Sequence, residues 1–253
     1  MSVGGQELSL TALRTLGFEP EHALDVGANK GDWARMALRV FPAARILMVE
    51  ANYDRHNSSY VDLMRRGNVE VEAAVLDSEE RAVEFHMRSR THGATALAGT
   101  GDGLYRERVM QGYAVSHGWW HKYQRQSQTL DGMLARTGRV DRRYGLIKLD
   151  VQGAELDVLR GGARALAAAE VVVMEFGNIG ADWNLGAPSF AEKIAFMDAA
   201  GFRPWDISDM NYVSAAYKGG RFKGPGRILA GFDMLLVRKG SLLANATQQR
   251  LDV

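Results

Sequence analysis

The sequence predicts an α/β fold built on a largely parallel sheet, and three observations carry that prediction. Short apolar segments alternate with amphipathic helical stretches through the first third of the chain. The first of these segments, Ala23 to Val26, runs into a glycine-bearing turn, Gly27 to Gly31, that opens a helix. Acidic residues also stand where apolar segments stop: Asp25, Glu50, Asp150 and Glu175. Strand, helix, strand, helix, strand is the order that gives parallel pairing with right-handed crossovers. In such open sheets ligands bind beyond the C-terminal ends of the strands.

Taken in order, Leu8, Leu10, Ala12, Leu13 and Leu16 recur at helical spacing, and Gly17 ends that helix. Ala23 to Val26 is a buried-type strand whose apolar run only Asp25 interrupts. Gly27 and Gly31 permit a tight turn, and Asp32 to Leu38 starts a helix that Pro42 closes. Arg45 to Val49 is the second strand, and Asn52-Tyr53-Asp54 caps a helix that reaches Arg66 and stops at Gly67. Val69 to Leu76 alternates and is predicted as one strand, with Ala82 to Met87 a shorter fourth. Periodicity is lost from Ser89 to Gln126, so residues 89–128 are expected to be an inserted or irregular segment of a single domain spanning 1–253. Thr129 caps a short helix, and Gly145 to Leu149 is a buried strand ending at Asp150. Gln152-Gly153-Ala154-Glu155 turns into a helix ending near Gly161-Gly162, followed by an Ala-rich helical piece from Arg164 to Ala169. Val171 to Met174 is the most apolar strand and ends in Glu175. Phe190 to Ala200 is helical, Gly201 to Ile207 a strand, and Phe232 to Val237 the last strand, with a poorly ordered tail expected from Ser241.

Composition narrows the chemistry. The 31 basic and 30 acidic side chains leave a formal charge of +1, which favours neither nucleic acid nor an anionic membrane as partner. Without cysteine there is no disulfide framework and no thiolate metal site. No apolar run reaches membrane-span length and no signal-peptide core is present, so a cytoplasmic protein, with a homo-oligomer allowed, is the expectation.

The turn has the spacing D-x-G-x-x-x-G, not the dinucleotide fingerprint G-x-G-x-x-G. An acid inside the strand end suits an amine-bearing ligand, and S-adenosylmethionine carries an amine and a sulfonium. Glu50 ends the next strand, roughly 20 residues past the glycines, where such an acid grips ribose hydroxyls. Asp25, Gly27, Gly31 and Glu50 together fit an adenosine-containing cofactor. A lone acid at a strand end often only caps the next helix, but four on one edge are harder to explain that way.

Asp25 to Gly31, Glu50-Ala51-Asn52, Thr129-Leu130-Asp131, the block from Ile147 to Gly161 and Phe232 to Lys239 resemble the FkbM family of S-adenosylmethionine-dependent methyltransferases. The Lys148 to Gly161 block is the most specific part of the resemblance. It implies a class I methyltransferase (Rossmann-like) fold: a seven-stranded, mostly parallel sheet with helices on both faces and an antiparallel last strand. It also implies O-methylation of a sugar or natural-product hydroxyl. On the matching positions, Asp25, Gly27, Ala28, Asn29, Gly31, Glu50, Asn52 and Asp150 would hold the cofactor.

A hydroxyl acceptor must lose a proton, so a positioned base is expected. Asp150 and Glu175 are the candidates, with His121 and His92 as alternatives. The two carboxylates could instead hold a divalent ion, but metal-free base catalysis is favoured, and no histidine spacing suggests a metal site. Glu155 is assigned to stabilising its helix start. Tyr113, His117, Trp119, Trp120, His121 and Tyr123 are either a stacking platform for a flat acceptor or an aromatic edge strand. A basic, glycine-rich segment within 208–230, holding Lys218, Arg221, Lys223 and Arg227, is either a solvated hairpin or a lid over a negatively charged acceptor. Two competing classes remain: an NAD-dependent sugar oxidoreductase or epimerase, disfavoured by the missing fingerprint and the lack of a Tyr-x-x-x-Lys pair, and a non-catalytic protein retaining a cofactor site.

Overall fold

The computed structural model describes residues 4–88, 120–177, 188–214 and 227–245. Its first elements are α1 (Gly4–Thr15), β1 (His22–Val26), α2 (Asp32–Val40), β2 (Arg45–Val49), α3 (Tyr53–His56) and α4 (Val61–Met64). Then come β3 (Val69–Glu72), β4 (Val75–Leu76), β5 (Ala82–Arg88), β6 (Trp120–Gln128), α5 (Leu130–Arg136) and β7 (Tyr144–Leu149). The chain continues through α6 (Glu155–Arg160), α7 (Ala163–Ala168), β8 (Val171–Gly177), α8 (Phe190–Ala199), β9 (Phe202–Ser214) and β10 (Arg227–Arg238).

Seven strands form the main sheet in the order β3-β2-β1-β7-β8-β10-β9, and β10 runs against both of its neighbours while the other pairs are parallel. Seven strands, mostly parallel, with the last strand antiparallel, are what the family resemblance implied. Alternation along each strand sends side chains to two layers. Leu24, Val26, Ile147 and Leu149 pack with Leu130, Leu156, Leu166 and Met197 of α5 to α8. Ala23, Ile46, Met48 and Val173 pack with Leu10, Leu13, Met36 and Leu38 of α1 and α2. Among the described residues no helix is long and apolar enough to cross a membrane.

Three expectations need correction. The single strand expected over Val69 to Leu76 is two: β3 pairs with β2, whereas β4 leaves the main sheet to pair with β6. Val75 joins Val83 and Phe85 in a separate small core, so one alternating run serves two sheets. Residues 120–128 of the expected irregular segment form β6, which pairs with β5 along Trp120 to Gln126 and with β4 only at Ser127 and Gln128, in a second sheet ordered β4-β6-β5. Tyr123 to Gln126 are exposed on both faces, so this stretch carries no apolar alternation to reveal the strand. The helix expected to reach Arg66 is broken by a 3-10 turn, Asn57–Tyr60, between α3 and α4. Of the segment proposed as a lid, 208–214 and 227–230 lie in the paired strands β9 and β10, and Lys218, Arg221 and Lys223 lie outside the described residues.

Candidate active site

Strand register alone assembles the site. Val26 pairs with Val49 and Leu149, Leu149 with Met174, and Glu175 with Asp233. One step beyond the first three of these pairs, Glu50, Gly27, Asp150 and Glu175 stand in a row across β2, β1, β7 and β8, and Asp233 of β10 extends it. The sequence expected Glu50, Asp150 and Glu175 at this edge with the Gly27 turn beside them, but Asp25, expected there too, lies two residues back from Gly27 on β1 and is fully buried. The sequence missed Asp233 because β10 runs the opposite way. In an antiparallel strand the shared edge lies ahead of the apolar run, and Asp233 precedes Met234 to Val237.

The cofactor side is built around backbone that only glycine tolerates well. Gly27, Asn29 and Gly31 all have positive φ, at 77°, 48° and 80°. Gly27 N and Ala28 N both donate to Val49 O, at 2.9 and 3.2 Å, which folds the turn back over β2. Glu50 braces it: Oε2 accepts from Asn29 N and Oε1 from Asn52 N, each at 2.7 Å. Helix α2 starts without a side-chain cap, and its positive end faces the same turn.

Beneath the turn lies a buried ionic core. Asp25 is fully buried, with neither oxygen accepting a hydrogen bond, and Lys148 Nζ stands 3.3 Å from its Oδ1. Lys148 also donates to Gly27 O at 3.0 Å and lies 3.6 Å from Asp150 Oδ2. Burial pushes the Asp25 carboxyl up and Lys148 opposes that shift. For Lys148, burial would lower the ammonium, but Asp25 and Asp150 outweigh it and raise it above the ordinary lysine range. Asp25 therefore supports the turn from below, sealed from solvent, and Lys148 ties that turn to Asp150.

At the other end of the row, Gln152 Nε2 donates to Asp150 Oδ1 at 2.7 Å and to Glu175 Oε2 at 3.1 Å. Gln152 has φ 57°, the left-handed turn that brings its amide back over the sheet edge. Glu155 Oε1 accepts from Val151 N and Gly153 N, at 3.2 and 2.9 Å, and so has the structural role assigned to it. Its other oxygen pairs with buried Lys193 at 2.8 Å, and Lys193 also donates to Glu175 O at 2.8 Å. Burial pushes Glu175 well up, reinforced by Asp150, Glu155 and Asp233. Burial also raises Asp233, with Asp150 adding and Lys148 opposing, to about 7. Among the described residues no three His, Asp or Glu side chains converge as a metal-binding group. His121 lies on β6 opposite Met87, but its side chain, like all of His92, lies outside the described residues.

The Gly27 to Gly31 turn and Glu50, flanked by Asn52, are the groups that could hold the amino-acid end and the ribose of an adenosine-bearing cofactor. Replacing Glu50 with alanine removes charge-assisted hydrogen bonds, so affinity for S-adenosylhomocysteine should fall by about 1.5–3 kcal/mol. Calorimetric titration reads this directly, and an unchanged affinity would remove Glu50 from the cofactor site.

A family model described as the Methyltransferase FkbM domain matches residues 25–204, more than two thirds of the chain. The chain is similar to the 2-O-methyltransferase NoeI of Sinorhizobium fredii (strain NBRC 101917 / NGR234), 29% identical over 167 residues, which is 60% of this chain and 62% of that protein. Among solved structures it is similar to methyltransferase FkbM from Methylobacillus flagellatus KT, with a TM-score of 0.44, 12% identity and coverage of 85% of this chain and 43% of that one. It is also similar to precorrin-6y C5,15-methyltransferase from Geobacter metallireducens GS-15, with a TM-score of 0.43, 11% identity and coverage of 93% and 91%. The fold assignment itself rests on the strand order and directions described above.

Proposed function

This chain belongs to the FkbM family of methyltransferases, and from that premise we propose that it transfers a methyl group from S-adenosylmethionine to a hydroxyl oxygen of a sugar or glycosylated small molecule. One observation carries the reading. Strand register puts Glu50 and a glycine turn in one row with the carboxyls of Asp150 and Glu175. The similarity to NoeI, named a 2-O-methyltransferase, supports oxygen as the methylated atom.

S-adenosylmethionine supplies an electrophilic methyl group. What the chain must do is align the acceptor oxygen with that methyl, exclude water and accept a proton. The Gly27 to Gly31 turn and Glu50 hold the cofactor. Asp150, braced by Gln152 and charge-matched by Lys148, fixes a negative charge beside the acceptor hydroxyl and orients it. Asp150→Asn keeps the size but not the charge, so turnover should fall on the order of 10²-fold while S-adenosylhomocysteine affinity is largely kept. Full turnover in that variant would remove Asp150 from the chemistry.

The reading is tested in two steps. Calorimetry with S-adenosylhomocysteine and with NAD should show binding of the first only. Radiolabelled S-adenosylmethionine is then offered with a panel of methyl glycosides and nucleotide-linked sugars, with EDTA present, and label should appear in a sugar ether. Binding of NAD alone, or binding of S-adenosylhomocysteine with no transfer to any hydroxyl, would refute the proposal.

A further inference from the structure

Helix α1 reaches into the carboxyl row. Trp33, in the first turn of α2, donates its indole N–H to Gln6 Oε1 at 2.9 Å, and Gln6 Nε2 donates to Asp233 Oδ2 at 2.6 Å. An indole nitrogen can only donate. The Gln6 amide therefore has one orientation, with its NH2 group toward β10. Oδ2 of Asp233 is the accepting oxygen, so any proton that Asp233 carries or receives sits on Oδ1. Among the described residues Oδ1 accepts no hydrogen bond.

The other two carboxyls of the row are placed differently. Asp150 has both oxygens engaged, Oδ1 by Gln152 and Oδ2 by the Lys148 charge. Glu175 is pushed well up by burial and by its acidic neighbours, and its Oε2 is taken by the Gln152 amide. Asp233 faces Asp150 and Asp209, which raise it, and Lys148 and Gln6, which lower it. The balance leaves it able both to hold and to release a proton near neutrality, as an acid–base group requires.

We propose that Asp233 is a further catalytic residue: its Oδ1 receives the proton that the acceptor hydroxyl loses, while the Trp33–Gln6 relay fixes its other oxygen. This assignment rests on the hydroxyl methylation proposed above. As the acceptor oxygen bonds to the methyl carbon, the carbon–sulfur bond breaks with its electron pair staying on sulfur. The hydroxyl proton passes to Asp233, which later releases it to solvent.

The test compares wild type with Asp233→Asn and Trp33→Phe. Infrared spectra of protein labelled with [4-13C]aspartate read the protonated carboxyl directly. Wild type should show an aspartic-acid band that titrates near pH 7, and Asp233→Asn should lose it. In Trp33→Phe the amide is free to turn its carbonyl toward Asp233, which favours the protonated form and moves the midpoint up. With the acceptor identified by the sugar panel, kcat of Asp233→Asn should fall on the order of 10²-fold, with affinity for S-adenosylhomocysteine unchanged. The acid limb of the kcat/KM profile should follow the infrared midpoint in Trp33→Phe, which a purely structural relay would not produce. Asp233→Asn should fold. An acid whose pKa is raised in the folded state costs stability progressively as the pH climbs from its unfolded to its folded pKa, and at pH 8 that cost is essentially complete, so the variant should melt no lower than wild type there. A neutral-range band that survives in Asp233→Asn, or full turnover in that variant, overturns the role of Asp233 alone. Wild type that binds no S-adenosylhomocysteine overturns the methyl-transfer reading along with it.

Discussion

Gly27→Ala should abolish cofactor binding and cost the fold more than about 4 kcal/mol, the range of severe backbone and core lesions. A Cβ at this position would sit 1.9 Å from the Asp150 carbonyl oxygen and 2.8 Å from its carbon, with φ at 77°. Both partners of the clash are backbone, at the ends of the adjacent central strands β1 and β7, so no side-chain rotation can relieve it. Relief requires the strands to part, which breaks the bonds from Asp150 N to Val26 O and from Lys148 Nζ to Gly27 O, both 3.0 Å. Gly31→Ala should be milder, because its Cβ would meet the rotatable Cδ1 of Leu63 at 2.7 Å. Gly17→Ala is the control: φ is 94° but nothing lies within 4 Å, so only the left-handed strain of about 1–2 kcal/mol applies. Urea unfolding and calorimetry with S-adenosylhomocysteine measure both effects. Wild-type affinity in Gly27→Ala would mean that the turn does not hold the cofactor.

Lys193→Met should destabilise the protein by about 3–5 kcal/mol, the usual cost of leaving one member of a buried ion pair uncompensated. Glu155 is 0% exposed and Lys193 3%, with 2.8 Å between them. The lysine also donates to Glu175 O and lies 5.4 Å above the Phe176 ring, so its loss reaches the backbone that carries Glu175. Adding Glu155→Gln removes the stranded charge, and the double variant should be less destabilised than the sum of the two single ones. It should not return to wild type, because Glu155 also holds the N–H groups of Val151 and Gly153. A loss under about 1 kcal/mol in Lys193→Met would show that the pair is effectively solvated.

Much of this site could be read from the chain because parallel strands announce their functional edge locally. An apolar run that ends in an acid or a glycine turn places that group at the C-terminal edge whichever strands become its neighbours. Glu50, the Gly27 to Gly31 turn, Asp150 and Glu175 are all of this kind, and the order of elements around them was enough to predict the parallel sheet. Helix α2 and strand β8 were legible for a related reason: burial of a face or of a whole strand writes a period into the sequence.

Tertiary structure alone decided the rest, wherever a role depends on a distant partner or on strand direction. Lys148 looks like an ordinary strand residue until β7 is laid beside β1, when its ammonium meets Asp25 and a carbonyl 121 positions away. Gln6 has no role until α1 sets it between Trp33 and Asp233. Asp233 joins the row only because β10 runs antiparallel, and Val69 to Leu76 divides only because its two halves find different sheets. Local periodicity records how deeply each segment is buried. Which segment lies beside it, and in which direction, is set by pairings between residues far apart in the chain, and those leave no local period to read.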